Sequence, residues 1–255
     1  MKKLKVIKIG GGVFTDPHVL PSIGNVIKHE MSSDYKLVVV ASAMGKDTRG
    51  LLQSIPADII PKPDLREQDQ LLAIGENKSC AILAMYLKSV GIKAASFTGA
   101  QAGILTDDNF GDANIIDINT KILDKWFLKN DVAVITGFQG VTGTGEITTL
   151  GFNGSDTSAF YLAHYLNAKS CTLYKDVNGV YDKDPKECKD AKLYKHLNFK
   201  EVLGGQTSGV VHHKALRLCA EMFNKENPTE IIIRNINLTQ SLFTTICKKR
   251  TEFHM

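Results

Sequence analysis

The sequence predicts an α/β fold in which a largely parallel sheet is covered by helices, and three observations carry that prediction. Short runs rich in Val and Ile alternate with longer stretches whose apolar residues recur at three- and four-residue spacing. Most of the Val/Ile runs lack polar alternation, the mark of strands buried on both faces. No linker, repeat or low-complexity tract divides the 255 residues, and with 43% hydrophobic content the chain can bury a large core as a single domain spanning residues 1–255.

The elements follow in order. "KVIKI" reads as the first strand, "HVLPSIGNVIKHEM" as the first helix and "KLVVVAS" as the next strand. The Pro-rich stretch "IPADIIPKPD", Ile55 to Asp64, is a connecting loop before the long helical pattern "REQDQLLAIGENKSCAILAMYLKSV". "IKAASF" and "VAVITG" are strands on either side of the helix "NTKILDKWFLK", where Trp126 and Phe127 are expected in the core. "TGTGEITTLG" breaks the rhythm with a Gly-rich turn flanked by Thr and Ile, which predicts a hairpin within the α/β frame. "SDTSAFYLAHYL" is a helix, "CTLYKD" a strand, "GVVHHKALRLCAEMF" a helix and "EIIIRN" a closing strand.

A formal net charge of +4, with both signs spread along the chain, calls for neither nucleic acid nor an anionic membrane as partner. Lys248, Lys249 and Arg250 form the one cationic cluster, expected to be solvated. Cys80, Cys171, Cys188, Cys219 and Cys247 contain no CxxC pair, which argues against a thiolate zinc site and a disulfide framework alike. A reducing cytoplasm is the expected compartment. Lysines interrupt the apolar run at the N-terminus, and no stretch approaches the roughly 18 apolar residues of a membrane span.

Ligands of open α/β sheets sit beyond the C-terminal strand ends, so the residues that follow each strand are the informative ones. After the first strand, Lys8 is followed by Gly10, Gly11 and Gly12, whose bare backbone can surround a phosphate with N–H groups. Two nucleotide fingerprints are excluded. Thr15 stands where GxGxxG needs its third glycine, and Gly204 to Gly209 continues with Val210 and Val211 where a P-loop needs Lys and Ser or Thr. The stretch "GFNGSDTSAF" reads as a second phosphate grip, with Ser155 or Asp156 capping the helix through Ala159, Phe160, Leu162 and Ala163. An acid beside phosphates makes sense if Asp156 orients Lys8 towards the oxygen on which charge develops during transfer. The pair His212 and His213 lacks the i, i+4 spacing that would suit a metal.

In these motifs, taken together, the chain resembles the catalytic domain of the aspartokinases in the amino acid kinase family. The matching segments are "KIGGG" (usually KFGGTS), "VVVASAMGKDTRGLL", "LREQDQLLAIGE", "SFTGAQAGILTD" with "FGDA", "VAVITGFQGVTGTGEITTLG", "GSDTSA" and "YKDVNGVYDKDPK", in the family's order over nearly the whole sequence. The resemblance implies a three-layer αβα sandwich around a mostly parallel eight-stranded sheet, with the acceptor in the N-terminal half and ATP in the C-terminal half. It implies transfer of the γ-phosphoryl group of ATP, with Mg2+ carried by the nucleotide, to a small amino-acid carboxylate, L-aspartate first among them. On that resemblance Lys8 is the transition-state cation, Asp156 the organising acid, Gly10, Gly11 and Gly12 the phosphate loop, and Ser155 a further phosphate or substrate contact. Asp176, Tyr181 and Asp184 match positions that hold the nucleotide, Glu76 the position that recognises the acceptor's amino group, and Thr48 falls in the acceptor loop. A homodimer is implied in the same way. Aspartokinases generally continue into regulatory ACT domains, and this sequence, which ends where they would begin, is expected to lack them.

Three departures bear on the substrate. Phe152 stands where the family's GRGGSD has the arginine that clamps the acceptor's carboxylate, leaving Arg49, Arg66 and Lys46 as candidate replacements. Gly209 stands where the family has a lysine near the ATP phosphates, with Lys214 nearby. Gly12 and Val13 replace two hydroxyl residues after the glycines. The alternatives to an aspartate acceptor are therefore a different small acid, and a catalytically weak nucleotide-binding regulatory subunit.

Overall fold

The computed structural model describes residues 3–31, 35–151, 154–185, 187–198, 200, 202, 229–237, 242–247 and 252–253. The chain opens with β1 (Lys3–Ile9), α1 (Leu20–Glu30) and β2 (Tyr35–Ala41), then a short helix α2 (Asp47–Gln53) and the long helix α3 (Leu65–Ser89). There follow β3 (Ala94–Phe97), β4 (Ile104–Thr106), β5 (Ile115–Ile118), α4 (Lys121–Trp126), β6 (Val132–Thr136), β7 (Gln139–Val141) and β8 (Ile147–Thr149). Helix α5 (Gly154–Tyr165) leads to β9 (Ser170–Lys175), and β10 (Tyr194–Asn198), β11 (Glu230–Asn235), β12 (Phe243–Cys247) and β13 (Glu252–Phe253) complete the described elements.

The main sheet has nine strands in the order β13-β10-β12-β11-β9-β1-β2-β6-β3, and the run from β11 to β3 is parallel throughout. All six strands predicted from Val/Ile runs lie in that parallel run. The count exceeds the expected eight because the two-residue strand β13 adds an antiparallel edge to β10, where the rings of Tyr194 and Phe253 stack 4.4 Å apart. One face of the sheet packs Val6, Val38 and Val40 against Ala159, Phe160, Leu162 and Ala163 of α5. The other packs Ile7, Ile9 and Val39 against Ile23, Val26 and Ile27 of α1 and Leu83 and Leu87 of α3. Each fully buried aliphatic side chain in these layers contributes about 1.5–3 kcal/mol. Trp126 and Phe127 pack into the α5-side core as expected, with the Trp126 indole N–H donating to the Val132 carbonyl. Cys80 and Cys171 are buried free thiols whose pKa burial pushes far above the ordinary value, so they pack as small apolar residues. Among the described residues no helix is long and apolar enough to cross a membrane.

The predicted hairpin is β7–β8, and it belongs to a second, four-stranded sheet in the order β5-β4-β7-β8. A buried carboxylate ties this sheet to α3. Asp69 accepts from the backbone N–H of Gly111 and from both the N–H and the hydroxyl of Thr149. Replacing Asp69 with alanine strands those donors and is expected to cost about 3 kcal/mol, a loss that urea denaturation would read directly.

Candidate active site

The site lies beyond the C-terminal ends of β1, β2 and β9. Val6 belongs to the α5 face and Ile7 and Ile9 to the other, so the two-residue period of a strand places Lys8 on the α5 face. There the first turn of α5 presents Asp156, whose Oδ1 lies 2.7 Å from Lys8 Nζ. The two side chains are 7% and 2% exposed. The sequence predicts Ser155 or Asp156 as the cap of this helix, and the structure corrects that. The helix begins at Gly154, and both side chains are engaged elsewhere: Ser155 Oγ is 2.9 Å from Ser42 Oγ, and both Asp156 oxygens meet lysines.

The second of those lysines is Lys175, at the end of β9, whose Nζ donates to Asp156 Oδ2 at 3.0 Å. Burial depresses the pKa of Lys8, and Lys175 pushes it the same way, while Asp156 opposes both. Burial alone would raise the Asp156 pKa, but the two ammonium groups overcome it and hold the acid ionised. One buried carboxylate thus carries two cations, which leaves positive charge in excess.

A cavity of about 500 Å³ opens in front of this cluster, and Lys8, Gly11, Ser155, Thr48, Glu76 and Ser42 all line it. Gly10 and Gly11 leave little room for a side chain. A Cβ on Gly10 would sit 3.2 Å from Lys8 Nζ, and one on Gly11 would sit 3.0 Å from the Ala43 carbonyl oxygen. Gly12 has open space around it. Across the cavity α3 supplies Glu76, 3% exposed, whose Oε1 accepts from the Ala43 N–H at 2.9 Å. Its Oε2 is buried with no hydrogen-bond partner among the described residues. Burial lifts the Glu76 pKa to about 7, with Asp47 adding to the rise and the Ala43 N–H and Lys8 opposing it.

The remaining expected positions are more dispersed. Asp176 follows β9 directly and is exposed, Tyr181 is bridged to Leu193, and the Asp184 carbonyl accepts from Glu187 and Cys188 in a turn. None of the three lines the cavity. Of the candidate clamps, Arg66 is committed to Glu67 and Glu146, Arg49 is exposed, and Lys46 lines a separate groove with Thr15 and Lys78. Phe152, Gly209, His212, His213 and Lys214 lie outside the described residues. Sequence reasoning missed Lys175 and Ser42. The face of β9 would have pointed to Lys175, since Leu173 two residues earlier packs on the α5 side.

The cluster fits a polyphosphate. Its surplus cations suit phosphate oxygens, and both oxygens of Asp156 are taken up by lysines. Among the described residues no group of three or more His, Cys, Asp or Glu side chains could hold a metal ion.

A model of the amino acid kinase family matches residues 3–235. The chain belongs to the amino acid kinase family. Within it, this amino acid kinase chain is 40% identical over 228 residues to an aspartokinase of Geobacillus stearothermophilus, covering 89% of this chain and 55% of that one. It spans about half the length of the curated relatives it matches. The crystal structure of aspartate kinase from Synechocystis superposes with a TM-score of 0.80 at 31% identity, covering 99% of this chain and 42% of that one. Aspartokinase III of E. coli, solved with aspartate and ADP, shares the amino acid kinase fold with a TM-score of 0.82 at 20% identity, covering 97% of this chain and 65% of that one.

Proposed function

We propose that the chain is the catalytic domain of an aspartokinase-type enzyme, transferring the γ-phosphoryl group of ATP to the side-chain carboxylate of L-aspartate to give 4-phospho-L-aspartate. The observation that carries the reading is one cavity with a buried ammonium on one wall and, on another, a buried carboxylate oxygen with no hydrogen-bond partner among the described residues. A triphosphate suits the first and the amino group of an α-amino acid suits the second. The acceptor's carboxylate oxygen attacks the γ-phosphorus, the bond from the γ-phosphorus to the β–γ bridging oxygen breaks, and ADP leaves. The acceptor is already ionised, so no proton has to be removed and no activated nucleophile is needed. Lys8 and the N–H groups of the Gly10–Gly11 loop stabilise charge on the transferred group, and Asp156 fixes the direction of Lys8. Magnesium bound to the nucleotide supplies further neutralisation of the phosphates. The acceptor residues Thr48 and Glu76 come from the N-terminal half of the chain, and the nucleotide contacts Asp176, Tyr181 and Asp184 from the C-terminal half. The relatives named as aspartokinases support this assignment.

A second reading, a different small acid as acceptor, is favoured by Phe152 in the sequence and by the commitment of Arg66 to Glu67 and Glu146. Turnover of ATP with hydroxylamine present, which traps acyl phosphates as coloured hydroxamates, separates the two across aspartate, glutamate and N-acetylated analogues. Hydroxamate from aspartate, with its KM lowered about 30-fold or more in Phe152→Arg, is the expected result. Signal from another acid alone would transfer the assignment to that acid, and silence throughout would leave a nucleotide-binding protein.

A further inference from the structure

We propose that Lys175 is a second cation of the transfer site, contacting oxygens of the transferred phosphoryl group beside Lys8; this rests on the kinase reading above. Three observations converge on it. The first is charge. Asp156 neutralises one lysine, yet Lys8 and Lys175 stand 2.7 and 3.0 Å from its two oxygens. A carboxylate already paired with Lys8 needs no second counter-charge, and among the described residues no other acid pairs with Lys175. The surplus suits an incoming anion.

The second is position. In the parallel register of β1 and β9, Ile9 lies opposite Tyr174, so Lys175 leaves its strand beside Gly10. The Tyr174 carbonyl oxygen is 3.9 Å from where a Gly10 Cβ would stand. The Lys175 side chain therefore starts against the glycine loop assigned above to the phosphates.

The third is accessibility with donors to spare. Lys175 is 19% exposed against 7% for Lys8, so it is the less enclosed of the two lysines. An ammonium carries three N–H bonds, and the single acceptor Lys175 has among the described residues is Asp156. The remaining donors meet no acceptor among the described residues and suit phosphate oxygens. A lysine acts there as a compact point charge, which suits a group whose charge shifts during transfer.

The test compares Lys175→Met and Lys175→Arg with the unsubstituted chain by hydroxamate kinetics with aspartate, and by calorimetric titration with magnesium ATP and magnesium ADP. Lys175→Met is expected to lower kcat about 30-fold with the aspartate KM changed by no more than about twofold. It is also expected to weaken ATP about tenfold more than ADP, because only ATP carries the contacted group. Lys175→Arg should recover part of both losses. Folding is expected to survive, since Lys8 still pairs with Asp156. A kcat within about threefold of the unsubstituted chain, together with an unchanged ratio of ATP to ADP affinity, would reduce Lys175 to a structural counter-ion and overturn the proposal. If the unsubstituted chain turns over no acid, the kinase reading fails separately. The ATP to ADP ratio then decides alone: a tenfold selective loss sustains the contact, and an unchanged ratio removes it.

Discussion

Lys8→Met is expected to abolish phosphoryl transfer, lowering kcat by about 10³-fold or more, while leaving the melting temperature unchanged or slightly higher. The two halves of that expectation come from the same geometry. Lys8 is buried against Asp156 at the mouth of the cavity, where a preorganised ammonium acts with little screening on charge developing at the transferred group. The same burial works against the ammonium, as its lowered pKa shows, so the apolar methionine removes a cost of folding. Removing one member of a buried ion pair usually costs about 3–5 kcal/mol because its partner is left uncompensated. Here Lys175 remains at 3.0 Å to neutralise Asp156. Hydroxamate kinetics and thermal unfolding on one preparation check both halves. A large fall in melting temperature would recast Lys8 as a structural residue, and activity within tenfold of the unsubstituted chain would remove it from the transfer step.

What could be read from the sequence was the part fixed by burial on two faces. β1, β2, β6 and β9 are short runs buried on both faces over most of their length, and the parallel sheet follows once such runs alternate with helices. The small sheet was legible only as one hairpin. β4, β7 and β8 have three residues each and β5 only four, too few for a period to stand out. Helix α2 was missed for a related reason: "DTRGLLQ" is seven residues with a central glycine and buries none of them fully. At the site, Lys8 opposite Asp156 was legible because charge logic demands a partner for an acid near phosphates. Lys175 carries a weaker signal: the strand period puts it on the face of Leu173, but that face meets Lys8 only through the pairing of β9 with β1, a register that sequence spacing does not encode. The cation sought around Gly209 and Lys214 therefore has a counterpart on a strand that was recognised while its last residue was overlooked.

Glu76→Gln is expected to lower kcat/KM for an amino-acid acceptor about 100-fold, mostly through KM, and to remove a pH dependence that the native chain should show. Oε1 of Glu76 is satisfied by the Ala43 N–H and Oε2 has no partner among the described residues, so an arriving ammonium finds a desolvated oxygen already in place. With the Glu76 pKa near 7, the acid takes up a proton as the pH falls below neutrality, and the acceptor KM should rise about tenfold for each pH unit below that point. The glutamine variant should show a flat KM over the same range. Stability should move in the opposite direction. The folded pKa lies above the ordinary glutamate value of 4.5, so the favourable contribution is complete below pH 4.5 and is lost as the pH rises through about 7, in all about 3 kcal/mol. Glu76→Gln should therefore melt higher than the native chain at pH 8 and level with it near pH 4.5, while saturating acceptor closes the gap at pH 8 by supplying the missing counter-charge. A gap that ignores both pH and acceptor would mean that Glu76 serves only to hold the Ala43 N–H, and the amino group of the substrate would have to be recognised elsewhere in the cavity.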